Sequence, residues 1–246
     1  MRDAVIEAGG RRFERIPLKS RLILKGDDLL GAIGEALASA GVEPHPDDVL
    51  VAGEKAVGAS QGRYYLLDEG TLKPRRLAVW LSRFVTKTPA GIGLGIPETM
   101  EAALRDVGVL RILLAAAVGA VGRALGRRGD FYRIAGPRAR SIDGPTRGTI
   151  PPFDRAVSLA PLDPRGVARS ISERFGCRAA IVDINDLGGN ILGSFPPGLD
   201  EADILTALSD NPLGQGEQST PFGLIRRMDG SSRDRVRRSP IPPSRP

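Results

Sequence analysis

The stretch from residue 178 to 193, RAAIVDINDLGGNILG, most constrains what this chain can fold into. Ala179, Ala180, Ile181 and Val182 form a short, wholly apolar run, the pattern of a strand buried on both faces and so of an internal strand of a sheet. The run leads into Asp183, Asn185, Asp186 and the pair Gly188-Gly189. That strand end has two readings. Asp, Asn and Gly dominate ordinary turns. Carboxylates that follow a buried strand are also a common way to present oxygen ligands to a hard cation at the rim of a sheet.

Composition narrows the chemistry. With 246 residues, 41% of them hydrophobic, the chain can bury a sizeable core as one larger domain or two small ones. Its single cysteine, Cys177, excludes an internal disulfide and any cysteine-rich metal site. Its single histidine, His45, lies in the loop PHPDD and is read as a surface residue. Chemistry must then rest on carboxylates, amides, Lys and Arg, which points to magnesium-type phosphate work more than to zinc hydrolysis or cysteine nucleophiles. Aromatics make up only 4%, too few for the stacking platform of a single-stranded nucleic-acid binder.

The formal net charge is +6, and Arg226, Arg227, Arg233, Arg235, Arg237, Arg238 and Arg245 crowd the last residues between Ser, Gly and Pro. Residues 228–246 are expected to be a disordered, solvated tail, which is no evidence for specific nucleic-acid binding. The opening residues MRDAVIEAGG have no apolar signal core. The most apolar run, 107–125, is interrupted by Arg111 and Arg123 and is read as a buried core helix, not a membrane span. The expectation is a cytoplasmic protein with no membrane partner.

Along the chain, residues 16–18 are strand-like, and Asp27 or Asp28 caps a helix that ends at Gly41. A strand is expected at 49–52, with 53–57 continuing as strand or turn. Residues 74–85 form an amphipathic helix. Residues 88–95 are a loop without the Gly-Lys-Ser/Thr ending of a phosphate loop. Helices follow at 97–107 and 109–125, and a strand at 131–135. A strand at 156–159, a helix from Asp163-Pro164 to Phe175 and the run at 179–182 give strand–helix–strand. A helix at 199–208 and a strand at 222–225 complete the pattern. Helices and strands without strict alternation define an α+β class, with mixed sheets and packed helices. The domain spans 1–227 and includes a helical segment at about 74–126.

Three segments, 141–146, 183–190 and 213–220, each set polar oxygen ligands beside a strand, and Lys55 follows another. Asp143 and Asp186, with Gln215 or Glu217, could supply oxygens to magnesium, while Lys55 neutralises phosphate as a point charge. Each segment is equally a plausible turn.

The ordered set IPL, GDDL, DDVLV, EKAVG and QGR, then IDGPT, AIVDINDLGGN and NPLGQGEQSTPFGLIR, resembles the coenzyme F420-0:L-glutamate ligase family. The resemblance covers residues 16–63 and 133–226 and leaves 67–125 unmatched. It implies the α+β ligase fold, a homodimer, GTP as cosubstrate and Mg2+ or Mn2+. It implies that L-glutamate is joined to a carboxylate of coenzyme F420-0, or of a related acceptor, through an acyl phosphate, with no covalent protein nucleophile. By the same resemblance, Ile16, Pro17, Leu18 and Lys19 line the nucleotide site, and Glu54-Lys55 occupy a Ser-Lys pair that contacts it. Asp143 matches a metal-binding Asp, and Thr146 stands where the family has Asn. Asn185-Asp186 fall on a metal-binding Asp-Thr pair. Leu213, Gly214 and Gln215 match a Met-Gly-Gln whose Gln binds metal, and Gly216, Glu217 and Gln218 continue the loop around the nucleotide. The family's second lysine falls on Ala59. Asp183, on the strand side, is read as structural. Three other readings stand beside this one: a metal-dependent enzyme acting on another carboxylate or phosphate, a catalytically silent ligand-binding relative, and nucleic-acid contact through the tail.

Overall fold

The apolar runs at residues 49–52 and 179–182 lie side by side and parallel, each buried on both faces, and the sheet extends outward from them. The computed structural model describes residues 4–8, 10–85, 93–146, 148–185, 188–214 and 219–228. In chain order the strands are β1 (Val5–Ala8), β2 (Arg11–Leu18), β3 (Val49–Gly53), β4 (Tyr64–Leu66), β5 (Ala156–Ser158), β6 (Arg178–Asn185), β7 (Gly188–Phe195) and β8 (Phe222–Arg227). Six of them form one sheet in the order β1-β2-β8-β3-β6-β7. Only β3 and β6 run parallel among its neighbouring pairs. The expected α+β class with a mixed sheet is what the chain adopts.

The helices are α1 (Leu29–Ala40), α2 (Glu54–Ser60), α3 (Arg76–Ser82), α4 (Pro97–Asp106), α5 (Val109–Ala124), α6 (Asp130–Ala135), α7 (Pro137–Arg140), α8 (Pro164–Phe175) and α9 (Glu201–Ala207). One face of the sheet packs Leu50, Ala52, Ala179 and Ile181 against Ile33 and Leu37 of α1, Val57 of α2 and Ile171 of α8. The other face packs Val49, Val51, Ala180 and Val182 against Ile204 and Ala207 of α9. A separate core joins α3 to α7 with β5, centred on Leu94, Met100, Ile112 and Val157. Of the two candidate caps for α1, Asp28 is the one used: its carboxylate accepts from Leu30 N–H, and Gly41 closes the helix in the left-handed region at φ 64°.

Four expectations are corrected. Residues 54–57, read as strand or turn, open α2, whose Ala56, Val57 and Ala59 are buried against the sheet. Residues 131–135, read as a strand, form α6; so short an apolar run carries no periodicity to decide between the two. What decides it is packing. Gly119 and Gly122 of α5 let α6 approach until a Cβ at Gly119 would stand 3.0 Å from Phe131 Cβ. The strand at 156–159 exists as β5 but pairs with β4 in a two-stranded sheet, so it forms no strand–helix–strand unit with β6. Helix α5, read as buried, sinks only Ile112, Ala115 and Gly122 and leaves Leu110 84% exposed. Three strands, β1, β4 and β7, were not anticipated. The loop at 88–95 falls largely outside the described residues, as does all but the first residue of the proposed tail. Among the described residues no single helix is long and apolar enough to cross a membrane; α4 and α5 pass that test only as a pair bent by 120°.

Candidate active site

The topology gathers several strand ends at one rim. Gly53, the last residue of β3, pairs with Val182 of β6, while Ala52 and Leu18 both pair with Phe222 at the start of β8. The carboxyl ends of β2, β3 and β6 therefore open on the same side, where sheets containing parallel strands characteristically take their ligands. The segment leading into β8 is fastened across that rim. Gly53 N–H donates to Pro221 O (2.8 Å), Ser20 N–H donates to Ser219 O (2.9 Å), and Ser219 Oγ donates back to Ser20 O (2.8 Å).

Two charged residues follow β3 immediately as the first turn of α2. Lys55 Nζ donates to Asp143 Oδ2 at 2.9 Å. Asp143 comes from the other core and is held there by its backbone, which forms an isolated bridge with Ser158 of β5. Its second oxygen, Oδ1, accepts from Gly144 N–H (2.9 Å). The ion pair thus ties the six-stranded sheet to the helical part of the molecule. From β6, strict alternation sets Asp183 on the face of Ile181, toward α2, whereas Val182 and Ile184 belong to the opposite core.

Glu54 is the electrostatic anomaly of the rim. Its Oε2 is enclosed and has no hydrogen-bond partner among the described residues. Burial pushes the Glu54 carboxyl up to about 8, with the Asp183 charge adding to the rise and Lys55 and a hydrogen bond from Ser141 opposing it. Burial also raises Asp183, the Asp143 charge adding to it and Lys55 working against it. Three carboxyl groups therefore share one lysine in a partly desolvated corner, and the two shifted ones, Glu54 and Asp183, are the kind of perturbed acids that mark functional sites more often than structural ones.

That arrangement makes stability pH-dependent with a definite sign. Between its ordinary value of 4.5 and about 8, folded Glu54 holds a proton that the unfolded chain has released. The native state binds more protons than the unfolded state in that window, so stability falls as pH rises through it. Urea unfolding at about pH 5 and about pH 9 is expected to show the wild type losing stability over the interval, and Glu54→Gln losing clearly less. Equal losses in the two proteins would contradict the burial of this carboxyl.

The rim's donor chemistry bears on its fit to a divalent cation. Glu54, Asp143 and Asp183 are hard oxygen donors in excess of positive charge, and one of their oxygens is enclosed without a partner. No three His, Cys, Asp or Glu side chains among the described residues are gathered tightly enough to cage an ion alone. Magnesium does not ask for such a cage, since it binds through one or two carboxylates and completes its shell with water and phosphate. The donors fit an open magnesium-type site.

The other residues singled out in the sequence are spread over several places. Lys19 is exposed and directly follows Leu18, the last residue of β2, at the rim. Leu18 itself is fully enclosed in the core, so only its backbone can face a ligand. Ile16, Pro17 and Leu213 meet around Gly223 and Val51 in a crevice of about 10 Å³, far too small for a nucleotide. Leu213 O accepts from Thr220 Oγ1 (2.5 Å) and Gly214 N–H donates to Asn211 O (3.0 Å), which anchors both ends of the loop. Thr146 Oγ1 donates to Gly144 O (3.1 Å) within the Asp143 turn. Asn185 lies at the end of β6, opposite Gly188; its side chain, Asp186, Gln215, Gly216, Glu217 and Gln218 lie outside the described residues.

Asp183 and Ser141 were undervalued in the sequence. Asp183 belongs with the rim acids by charge and by face, and the Ser141 hydroxyl holds Glu54. A signal for Asp183 was present: LVAGE and AIVD share one grammar, a buried apolar strand that ends in an acid.

A mixed sheet whose rim sets carboxylates and a lysine against the helical part of the same chain defines an α+β protein with a polar rim of ligand type. A model of the F420-0:Gamma-glutamyl ligase family matches residues 17–194, well over half of the chain, and the chain belongs to this ligase family. The matched range runs through 67–125, the segment that the motif comparison left out, and ends before the 213–226 stretch. No curated protein matches the chain.

Proposed function

We propose that the protein joins L-glutamate to a carboxylate of coenzyme F420-0, or of a similar acceptor, at the expense of GTP. A carboxylate is a poor electrophile. One of its oxygens takes the terminal phosphoryl group of GTP, forming a P–O bond and releasing GDP. The α-amine of glutamate then forms the C–N bond at the acyl carbon, and phosphate leaves as the C–O bond breaks. Such chemistry needs charge clamps and positioning more than a protein nucleophile, in keeping with a chain that has one cysteine and one histidine.

The observation that carries the reading is the Lys55–Asp143 pair, 2.9 Å long, set beside Glu54 and Asp183 at the carboxyl ends of two parallel strands. Asp143, with Glu54, Asp183 and, by resemblance, Asn185, Asp186 and Gln215, would hold Mg2+ or Mn2+, which when bound neutralises phosphate oxygens. Lys55 is half exposed and only singly engaged, so its ammonium can leave Asp143 for a phosphate without breaking the fold. Pro221 and Ser219 fix the end of the loop that would fold over the nucleotide. A homodimer is part of the same proposal.

A silent relative is the second reading, and Ala59 favours it. This residue stands at the family's second lysine position, and its side chain is buried in the core beneath α2. One phosphate partner is thereby missing, an interaction typically worth about 1.5–3 kcal/mol. Calorimetric titration with GTP and ATP, with and without magnesium, tests the site itself. Magnesium-dependent binding that prefers GTP and is lost in Asp143→Ala is expected. The absence of any nucleotide binding, or binding untouched by that substitution, would refute the site.

A further inference from the structure

The Lys55–Asp143 contact differs in kind from the other ion pairs of the molecule. Among the described residues every other one uses arginine. The guanidinium fork suits multiply bonded pairs, as where Arg226 donates through Nε and Nη2 to the two oxygens of Asp48. Lys55 meets Asp143 through one bond, Nζ to Oδ2 at 2.9 Å, and both side chains are partly exposed. The two partners are not equally free. Asp143 is fixed by its backbone, which exchanges hydrogen bonds with Ser158 (3.1 and 2.9 Å), and by Gly144 N–H on Oδ1. Lys55 is anchored by its backbone in the first turn of α2, and its Nζ makes no second hydrogen bond among the described residues. Rotation of the flexible lysine stem is therefore enough to open the contact.

The contact also sets a cation on the oxygen that the rim would offer to a metal. Oδ1 of Asp143 is turned to the Gly144 backbone, and Oδ2 is held by Lys55. A divalent cation on Oδ2 would stand beside the ammonium, and like charges that close repel. The same ammonium favours the ionised forms of Glu54 and Asp183, so its charge is felt by all three acids of the corner.

We propose that Lys55 guards Asp143 against a free divalent cation, closing the metal-binding carboxylate until the lysine is drawn to a phosphate. The inference rests on the metal and nucleotide site proposed above and adds how that site fills. Metal alone must break the Lys55–Asp143 contact, and so must phosphate alone, whereas the two together break it once. Each ligand thus strengthens the other, and by linkage to the same degree; couplings of this kind are typically about 5–150-fold.

Manganese without nucleotide is the probe, titrated into the full chain while electron paramagnetic resonance reads the free ion. Lys55→Met removes the guard and should tighten manganese binding roughly fivefold or more. Lys19→Met is the control: it removes an equal charge from the same rim, from a lysine with no ion-pair partner among the described residues, and should change binding little. Adding Asp143→Asn to Lys55→Met should abolish the gain. In calorimetry, the factor by which magnesium strengthens GTP binding should be smaller in Lys55→Met than in the wild type. Equal manganese binding by wild type and Lys55→Met overturns the guard and leaves the metal site standing. An equal gain in Lys19→Met, or a gain that survives Asp143→Asn, also overturns it, because the effect would then belong to net charge and not to this contact. An unchanged magnesium factor overturns the coupling to phosphate. No manganese binding by any of these proteins removes the metal site itself, and the guard falls with it.

Discussion

Lys55→Ala is expected to lower kcat/KM for glutamate-dependent phosphate release by about 10²–10³-fold while hardly changing stability. The two halves of that statement come from different physics. A cation aimed at a transferring phosphoryl group acts where charge develops, in a partly desolvated corner, and removing one such donor typically costs about 10²–10³ in rate. The same ammonium contributes little to the folded state. Its partner in the fold is Asp143, the pair is 53% and 31% exposed, and exposed ion pairs are worth about 0–1 kcal/mol. Steady-state kinetics beside urea unfolding checks both halves. A variant with full activity would remove Lys55 from the site, and one that loses stability and activity together would make its role structural.

Gly193→Ala should do the reverse, breaking the fold at a position that supplies no side chain to the proposed chemistry. Gly193 lies in β7 opposite Ile181, and a Cβ there would stand 2.5 Å from Arg165 N and 2.7 Å from Pro164 C, both backbone atoms in the first turn of α8. No side-chain rotation relieves a clash with backbone. Strand and helix must separate, and with them the packing of Ile171 on Ile181 in the main core. Overpacking of a tight core ordinarily costs about 1–3 kcal/mol, and a clash with backbone belongs at or beyond the upper end of that range. For a chain of this size about 3 kcal/mol corresponds to a fall in Tm of roughly 6–12 °C. Gly34→Ala on α1 is the matched control: its Cβ would meet only Phe175, at 3.8 Å, and alanine is the better helix former. Calorimetric melting of both variants should show a large drop for the first and no loss for the second. Equal melting temperatures would contradict the close approach of β7 and α8.

The elements that were legible in the sequence are those whose signals are local and redundant. Val49–Gly53 and Arg178–Asn185 announce themselves as apolar runs that end in acids, and α1 and α8 carry an Asp cap at one end and a left-handed glycine at the other. What escaped depends on partners distant in the chain. The run at 131–135 is too short to show a period, and it becomes a helix because Gly119 and Gly122 leave room for one. β7 is poor in apolar residues and rich in glycine, so only its pairing with β6 makes it a strand. The composition of α5 indicates burial, but composition does not say which side of a helix is covered.

At the rim, the sequence named Glu54, Lys55 and Asp143 individually. That Lys55 and Asp143 touch across 88 residues of chain is information only the fold contains. Asp183 was read as structural because it lies on the strand side, whereas strand alternation turns it toward Lys55.

The most direct measurement is mass spectrometry of the coenzyme after incubation with the purified protein, GTP, magnesium and L-glutamate, starting from the form without glutamate. Ligase activity predicts a product heavier by one glutamyl unit, one phosphate released per unit added, and neither event when glutamate is omitted. An unchanged coenzyme mass under conditions where calorimetry shows GTP and magnesium bound would contradict the proposed reaction and leave a nucleotide-binding relative of the family.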